Sequence, residues 1–150
     1  MNAKQRKAIT DFFKTSKVLK ELGVIRSTSY TGNIAEFICA SEFNIRLSDS
    51  QREIGLDGTD SDNRNIEIKY HNGEKGTNII MGKYKDHQNF QDLIVILGPD
   101  SCLRAHYVDE ELFEIYRIND YKFEEGKNIG KGVLEGKLKF LLDSNLEKRS

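Results

Sequence analysis

Apolar residues recur at helical spacing in the first part of the chain, and lysines lie between them. The apolar positions from Ala8 onward are Ile9, Phe12, Phe13, Leu19 and Leu22, and the interleaved lysines are Lys14, Lys17 and Lys20. This pattern predicts a basic amphipathic helix within residues 1–23 that stops at Gly23. A second helix is predicted from a cap at Asn33 to about Phe43.

The remaining pattern predicts mainly strands. A short strand is expected at 45–47, and extended runs at 53–59 and 66–71 flank the turn-rich segment 60–65, so these two runs form a predicted hairpin. Residues 93–97 are wholly apolar and predict a buried strand, followed by a turn at 98–101 and an alternating strand at 102–108. Helices are expected at 109–116, after an acidic cap, and around 138–142. The order predicts one α/β domain spanning 1–150.

Composition supports a folded chain and narrows the class of protein. A length of 150 residues suits one domain. The hydrophobic share of 37% is slightly below the ordinary range of folded domains, and 31% charged residues predict a well-solvated surface. The longest apolar run, 93–97, is far below the roughly 18 residues of a membrane span. Lysines interrupt the first segment, so no signal peptide, no membrane contact and a cytoplasmic location are expected. The two cysteines, Cys39 and Cys102, form neither a disulfide framework nor a zinc site.

The net charge of −1 conceals strong segregation of charge. Residues 1–26 carry seven Lys or Arg against two acids, whereas 86–125 carry three against ten. General attraction to nucleic acid is therefore not indicated, but the basic segments can still form a local phosphate-binding face.

The segment from 55 to 71 holds the residues best suited to chemistry. Strand alternation puts Ile66, Ile68 and Tyr70 on one face, and Glu67, Lys69 and His71 on the other. The returning hairpin can place Asp57 beside Glu67. Two carboxylates with a nearby strand carbonyl form a hard oxygen site suited to Mg²⁺, and Lys69 can neutralise charge that develops on a phosphate.

Structural explanations for the same residues remain open. Alternating Glu and Lys are common on the solvent face of a strand, and Asp57 can be a simple turn residue. A calcium loop starting at Asp60 is excluded, because Asn65 and His71 stand where Gly and Glu are needed. Residues 126–137 do not form a P-loop, so no nucleotide cofactor is expected.

The combination of Asp57, Glu67 and Lys69 resembles the PD-(D/E)xK motif of restriction-endonuclease-like nucleases, with Leu56 in place of the usual proline. A glutamate on the preceding helix often completes this site, and Glu36 matches that placement. Glu36 also interrupts an apolar helical stripe formed by Cys39, Ala40 and Phe43. The alternative is that Glu36 closes a capping box with Asn33.

The resemblance implies a restriction-endonuclease-like α/β fold with a central mixed sheet flanked by helices. It also implies Mg²⁺-dependent hydrolysis of double-stranded DNA by a homodimer, as in small type II restriction enzymes. In this reading Asp57, Glu67 and the Ile68 carbonyl bind the metal, Glu36 binds a second metal or orients the first, and Lys69 positions the attacking water. The expected DNA contacts are His71, Lys75, Asn78, Lys83 and Lys85. The alternatives are a structure-specific or repair nuclease, and a DNA-binding module without catalysis.

Overall fold

The computed structural model describes residues 1–24, 30–48, 56–76, 78–81, 89–105, 111–124, 127–134 and 138–143. The helices are α1 (Ala3–Glu21), α2 (Thr31–Phe43) and the single turn α3 (Lys131–Leu134). The strands are β1 (Arg46–Leu47), β2 (Gly58–Thr59), β3 (Asn65–His71), β4 (Asn78–Ile79), β5 (Asp92–Leu97), β6 (Glu111–Ile118), β7 (Ile129–Gly130) and β8 (Leu138–Asp143). No helix among these residues is both long and apolar enough to cross a membrane.

Within the described ranges, six strands form the central sheet, in the order β1-β2-β3-β5-β6-β8. The β3–β5 pair is parallel, and the other neighbouring pairs are antiparallel. A separate two-stranded sheet joins β4 to β7. The architecture is therefore α/β, as the order of the predicted elements indicates, and the central sheet is mixed, as the family resemblance implies.

Apolar cores lie on both faces of the sheet. On one face, Phe13 of α1 and Ile38 of α2 pack in the same cluster as Ile66, Ile94 and Ile115 of the strands. The opposite cluster contains strand residues such as Leu93, Val95 and Tyr116 together with Ile79, Phe90, Ile129 and Leu134. Because β5 lies between β3 and β6 and is covered on both faces, all six of its residues are buried.

The two long helices start at residues that the apolar pattern does not mark. Helix α1 begins five residues before Ala8, because the Asn2 side chain accepts from the Gln5 amide at 2.8 Å and the Gln5 side chain bonds back to the Asn2 amide. Its last residue is Glu21, and Gly23, the predicted stop, follows two residues later with a φ of 70°, a value that favours glycine. Helix α2 starts after Tyr30, which makes no side-chain cap bond.

Asn33 is therefore the third residue of α2 and does not cap it. The predicted cap at Asn33 is wrong, and the capping-box explanation for Glu36 fails with it. The end of α2 at Phe43 agrees with the prediction, and the left-handed Asn44 that follows closes the helix.

Three predictions in the second half of the chain are wrong. Residues 102–105 form turns instead of the start of a strand, and the rest of that predicted strand, 106–110, lies outside the described residues. Where a helix was predicted at 109–116, residues 111–116 belong to strand β6. Residues 138–142, also predicted as a helix, belong to strand β8.

Strand β6 is central, with β5 on one side and β8 on the other. Phe113 and Ile115 enter the core under the helices, and Tyr116 and Ile118 enter the opposite core. A strand that buries both faces shows no strict alternation, so its apolar pattern resembles that of a buried helix.

Candidate active site

The hairpin of β2 and β3 brings Asp57 close to the backbone of β3. Gly58 pairs with Ile66 and Thr59 with Asn65, and Asp57 immediately precedes this pairing. The Asp57 amide donates to the Ile66 carbonyl at 2.8 Å, so Asp57 departs from the regular strand register but stays bonded to β3. The predicted hairpin is present, and it brings Asp57 to the strand that carries Glu67 and Lys69.

The carboxylate of Asp57, the residue immediately before β2, lies at the edge of β3. Its Oδ2 accepts a hydrogen bond from the Ile68 backbone N–H at 2.7 Å. In an extended strand the N–H and C=O of one residue point to the same edge. The Ile68 carbonyl, the predicted third ligand, therefore faces the same edge of β3 as the Asp57 carboxylate.

Glu67 and Lys69 lie on the face of β3 opposite the helices. Their alternation partners Ile66 and Ile68 belong to the core under α1 and α2. The Lys69 Nζ is 2.8 Å from Glu67 Oε1, and the two side chains are 26% and 9% exposed. The explanation that this pair lies on a solvent face is therefore wrong for Glu67. Burying a carboxylate costs stability unless a partner compensates it, and Lys69 is such a partner.

Glu36 approaches the site from α2. Burial, and secondly the negative charge of Asp57, raise the pKa of Glu36 above its ordinary value. Burial and the charges of Asp57 and Glu36 also raise the pKa of the Cys39 thiol, one helical turn further on. The structure thus brings Glu36 near Asp57, on the side of the hairpin that faces the helices.

The side chains do not converge on one point. Within the described ranges, no three His, Cys, Asp or Glu side chains stand close enough together to hold a metal ion. The donor chemistry nevertheless fits Mg²⁺, since carboxylate and carbonyl oxygens are the ligands it prefers. Burial is the main cause of the raised pKa of Glu36, and the negative charge of Asp57 adds to it; a cation bound beside these carboxylates would offset the second contribution.

The predicted DNA-contacting residues do not form one group. His71 is half-buried, its Nδ1 lies 2.7 Å from Ser101 Oγ, and burial lowers its pKa despite an opposing bond to the Gly76 backbone. An imidazole with a lowered pKa is mostly neutral at pH ~7, which weakens the case for a phosphate contact. Lys75 and Asn78 are exposed, whereas Lys83 and Lys85 lie outside the described residues.

A charged cluster beside the hairpin was not predicted from the sequence. Arg64, Asp92, Arg117 and Asp60 bond to one another next to a cavity of about 450 Å³. The sequence feature that could have indicated this cluster is Asp92, which begins the buried strand β5. An acid in such a position needs a basic partner.

No known family model matches this chain, and no curated protein matches it. Arguments about function therefore depend on the residues and their geometry.

Proposed function

We propose that this protein is a Mg²⁺-dependent DNA endonuclease with a PD-(D/E)xK site on a restriction-endonuclease-like fold. The observation that carries the proposal is the hydrogen bond that holds the Asp57 carboxylate on Ile68 of β3, the residue between Glu67 and Lys69, with Lys69 bonded to Glu67. The mixed sheet with two helices on one face is compatible with such a fold. The protein acts on a short double-stranded site as a homodimer.

Each residue has a distinct task in this proposal. Asp57, Glu67 and the Ile68 carbonyl hold the metal, and Glu36 binds a second ion or orients the first. Bound Mg²⁺ stabilises the negative charge that develops on the phosphate during hydrolysis. Lys69 holds a positive charge 2.8 Å from Glu67, where it positions the attacking water. Water attacks phosphorus, the P–O bond to the leaving oxygen breaks, and that oxygen takes up a proton.

The test is cleavage of a long unmethylated plasmid with Mg²⁺, compared with EDTA and with the Asp57→Asn variant. Glu124→Gln is the matched control, since Glu124 is exposed and pairs only at the surface with Lys127. Discrete bands that disappear with EDTA and with Asp57→Asn support the proposal. Cutting that survives Asp57→Asn refutes the site.

The other outcomes separate the alternatives. A smear that is lost in both conditions indicates a repair or degradative nuclease. Cleavage of only branched duplexes, in Mg²⁺ or Mn²⁺, indicates a structure-specific nuclease. DNA binding by folded protein without cleavage of any substrate indicates a binding module. Sedimentation of the protein with and without its DNA tests the homodimer.

A further inference from the structure

Asp92, at the start of β5, is a fully buried carboxylate that accepts four hydrogen bonds. Arg64 donates twice, from Nε to Oδ2 at 2.9 Å and from Nη2 to Oδ1 at 2.6 Å. Arg117 Nη2 donates to Oδ2 at 2.7 Å, and the Asp120 amide donates to Oδ1 at 3.0 Å. Such a set of charge-assisted bonds fixes both guanidinium groups in position.

Arg117 links Asp92 to the hairpin turn by a hydrogen bond and to α2 by a contact with an aromatic ring. Arg117 Nη2 also donates to Asp60 Oδ2 at 2.5 Å, and its guanidinium carbon lies 5.8 Å from the centre of the Phe43 ring. Asp60 Oδ1 in turn accepts from the Asp62 and Arg64 amides, both at 2.9 Å, which shapes the turn. We call Asp60, Arg64, Asp92 and Arg117 the arginine–aspartate cluster.

The cluster does not form an anion-binding site. In addition to Asp60 and Asp92, Asp120 pairs with Arg64, so three carboxylates bond to the two guanidinium groups. The adjoining cavity therefore offers a phosphate no surplus of positive charge from these residues, and a structural task fits the cluster better.

Each element that carries an acid of the candidate site is bonded to or packed on this cluster. Asp60 lies three residues after Asp57, and Arg64 lies three residues before Glu67. Phe43, which packs on Arg117, is the last residue of the helix that carries Glu36.

We propose that Arg64, Asp92 and Arg117 are positioning residues, which hold the Asp57 carboxylate on the Ile68 amide of β3 and keep α2 against the hairpin. This inference rests on the proposed function for its catalytic consequence. Its structural part does not depend on the proposed function, because it concerns only the hydrogen bond between Asp57 and Ile68.

The variant Arg64→Lys tests the inference, because lysine keeps the charge but cannot form the two-pronged bond to Asp92. The matched control is Arg6→Lys, where the arginine makes one bond of 3.2 Å to Glu42 between α1 and α2. The initial rate of cleavage is measured while the DNA concentration is varied, and separately while the Mg²⁺ concentration is varied. We expect Arg64→Lys to lower kcat, or to raise the Mg²⁺ requirement, by about 10–100-fold with KM for DNA unchanged. Arg6→Lys should leave these quantities unchanged.

Amide hydrogen exchange at Ile68 supplies a readout that does not need activity. Faster exchange of this amide in Arg64→Lys, with Arg6→Lys unchanged, supports the inference, because it shows a loosened bond to Asp57 Oδ2. If Arg64→Lys fails to fold, Arg117→Lys is measured in the same way, since it also keeps the charge.

Unchanged kcat, Mg²⁺ requirement and Ile68 exchange would overturn the inference. A rise in KM for DNA with constant kcat would also overturn it, since that result indicates substrate binding instead of positioning. If the wild-type protein cuts no DNA, the proposed function fails, and Ile68 exchange alone decides whether the cluster positions Asp57.

Discussion

Replacement of Asp92 by asparagine is expected to destabilise the fold strongly. The change keeps the shape of the side chain but removes the charge that Arg64 and Arg117 share. Removing one partner of a buried ion pair typically costs about 3–5 kcal/mol of unfolding free energy. We expect about 3 kcal/mol, the lower end, because the arginine side chains remain 30% and 14% exposed and water can solvate them.

The effect should depend on pH in a defined direction. Burial alone would raise the pKa of Asp92, but the hydrogen bonds from Arg64 and Arg117 outweigh burial and lower it from 3.8 to about 2. At about 1.4 kcal/mol per pH unit, this lowering contributes about 2 kcal/mol to stability. Because the folded pKa is the lower one, the contribution is complete above the unfolded pKa. It is lost as the pH falls from about 4 to about 2.

Urea unfolding of the wild type and Asp92→Asn, from about pH 7 to about pH 2, measures this contribution. The stability difference should be about 3 kcal/mol at neutral pH and should narrow by about 2 kcal/mol in acid. Asp11→Asn is the control, since Asp11 and Lys7 pair with side chains 56% and 57% exposed, and such a pair contributes about 1 kcal/mol or less. A difference that stays constant between about pH 5 and about pH 2 would refute the reasoning.

Three further predictions concern the hairpin and the thiols. Lys69→Met, which keeps most of the side-chain volume, should slow single-turnover cleavage by about 100-fold or more while Mg²⁺ and DNA binding persist; unchanged cleavage would remove Lys69 from the site. Gly58→Ala should lower stability by about 1–3 kcal/mol in thermal unfolding, because its Cβ would lie 2.6 Å from Ile45 Cγ2 and 2.7 Å from the Arg46 carbonyl oxygen. Gly32→Ala, with nothing within 4 Å of the new Cβ, should not destabilise, and equal losses in the two variants would contradict this account. Iodoacetamide labelling followed by peptide mass spectrometry should modify the half-buried Cys102 first, because burial raises the pKa of the Cys39 thiol; early labelling of Cys39 would show that α2 opens readily.

The features that sequence could predict are local ones. The β2–β3 hairpin closes over a short turn, so the alternation of Ile66, Glu67, Ile68 and Lys69 was enough to assign faces. The burial of β5 followed from its uninterrupted apolar run. The same reasoning failed for β6, because its acidic start resembles the first turn of a helix, and pairing with two neighbouring strands overrode that local preference.

The residues that sequence could not connect are distant along the chain. Arg64 and Asp92 are 28 positions apart, and Asp60 and Arg117 are 57 apart, so only the strand order β3-β5-β6 brings them together. Periodicity within one segment carries no information about such partners.

The arrangement of charges gives the cluster a physical reason to lie beside the candidate site. Burial, and secondly the charge of Asp57, raise the pKa of Glu36, so the charged form of Glu36 is disfavoured in the folded protein. The charges of the arginine–aspartate cluster act in the opposite direction, since its arginines lower the pKa values of both Asp60 and Asp92 against the effect of burial. The hairpin thus has Asp57 near Glu36 of α2 at one end, and the attracting pairs of Asp60 and Arg64 at its turn. In the proposed function, a metal ion bound at Asp57 would offset the repulsion between Asp57 and Glu36.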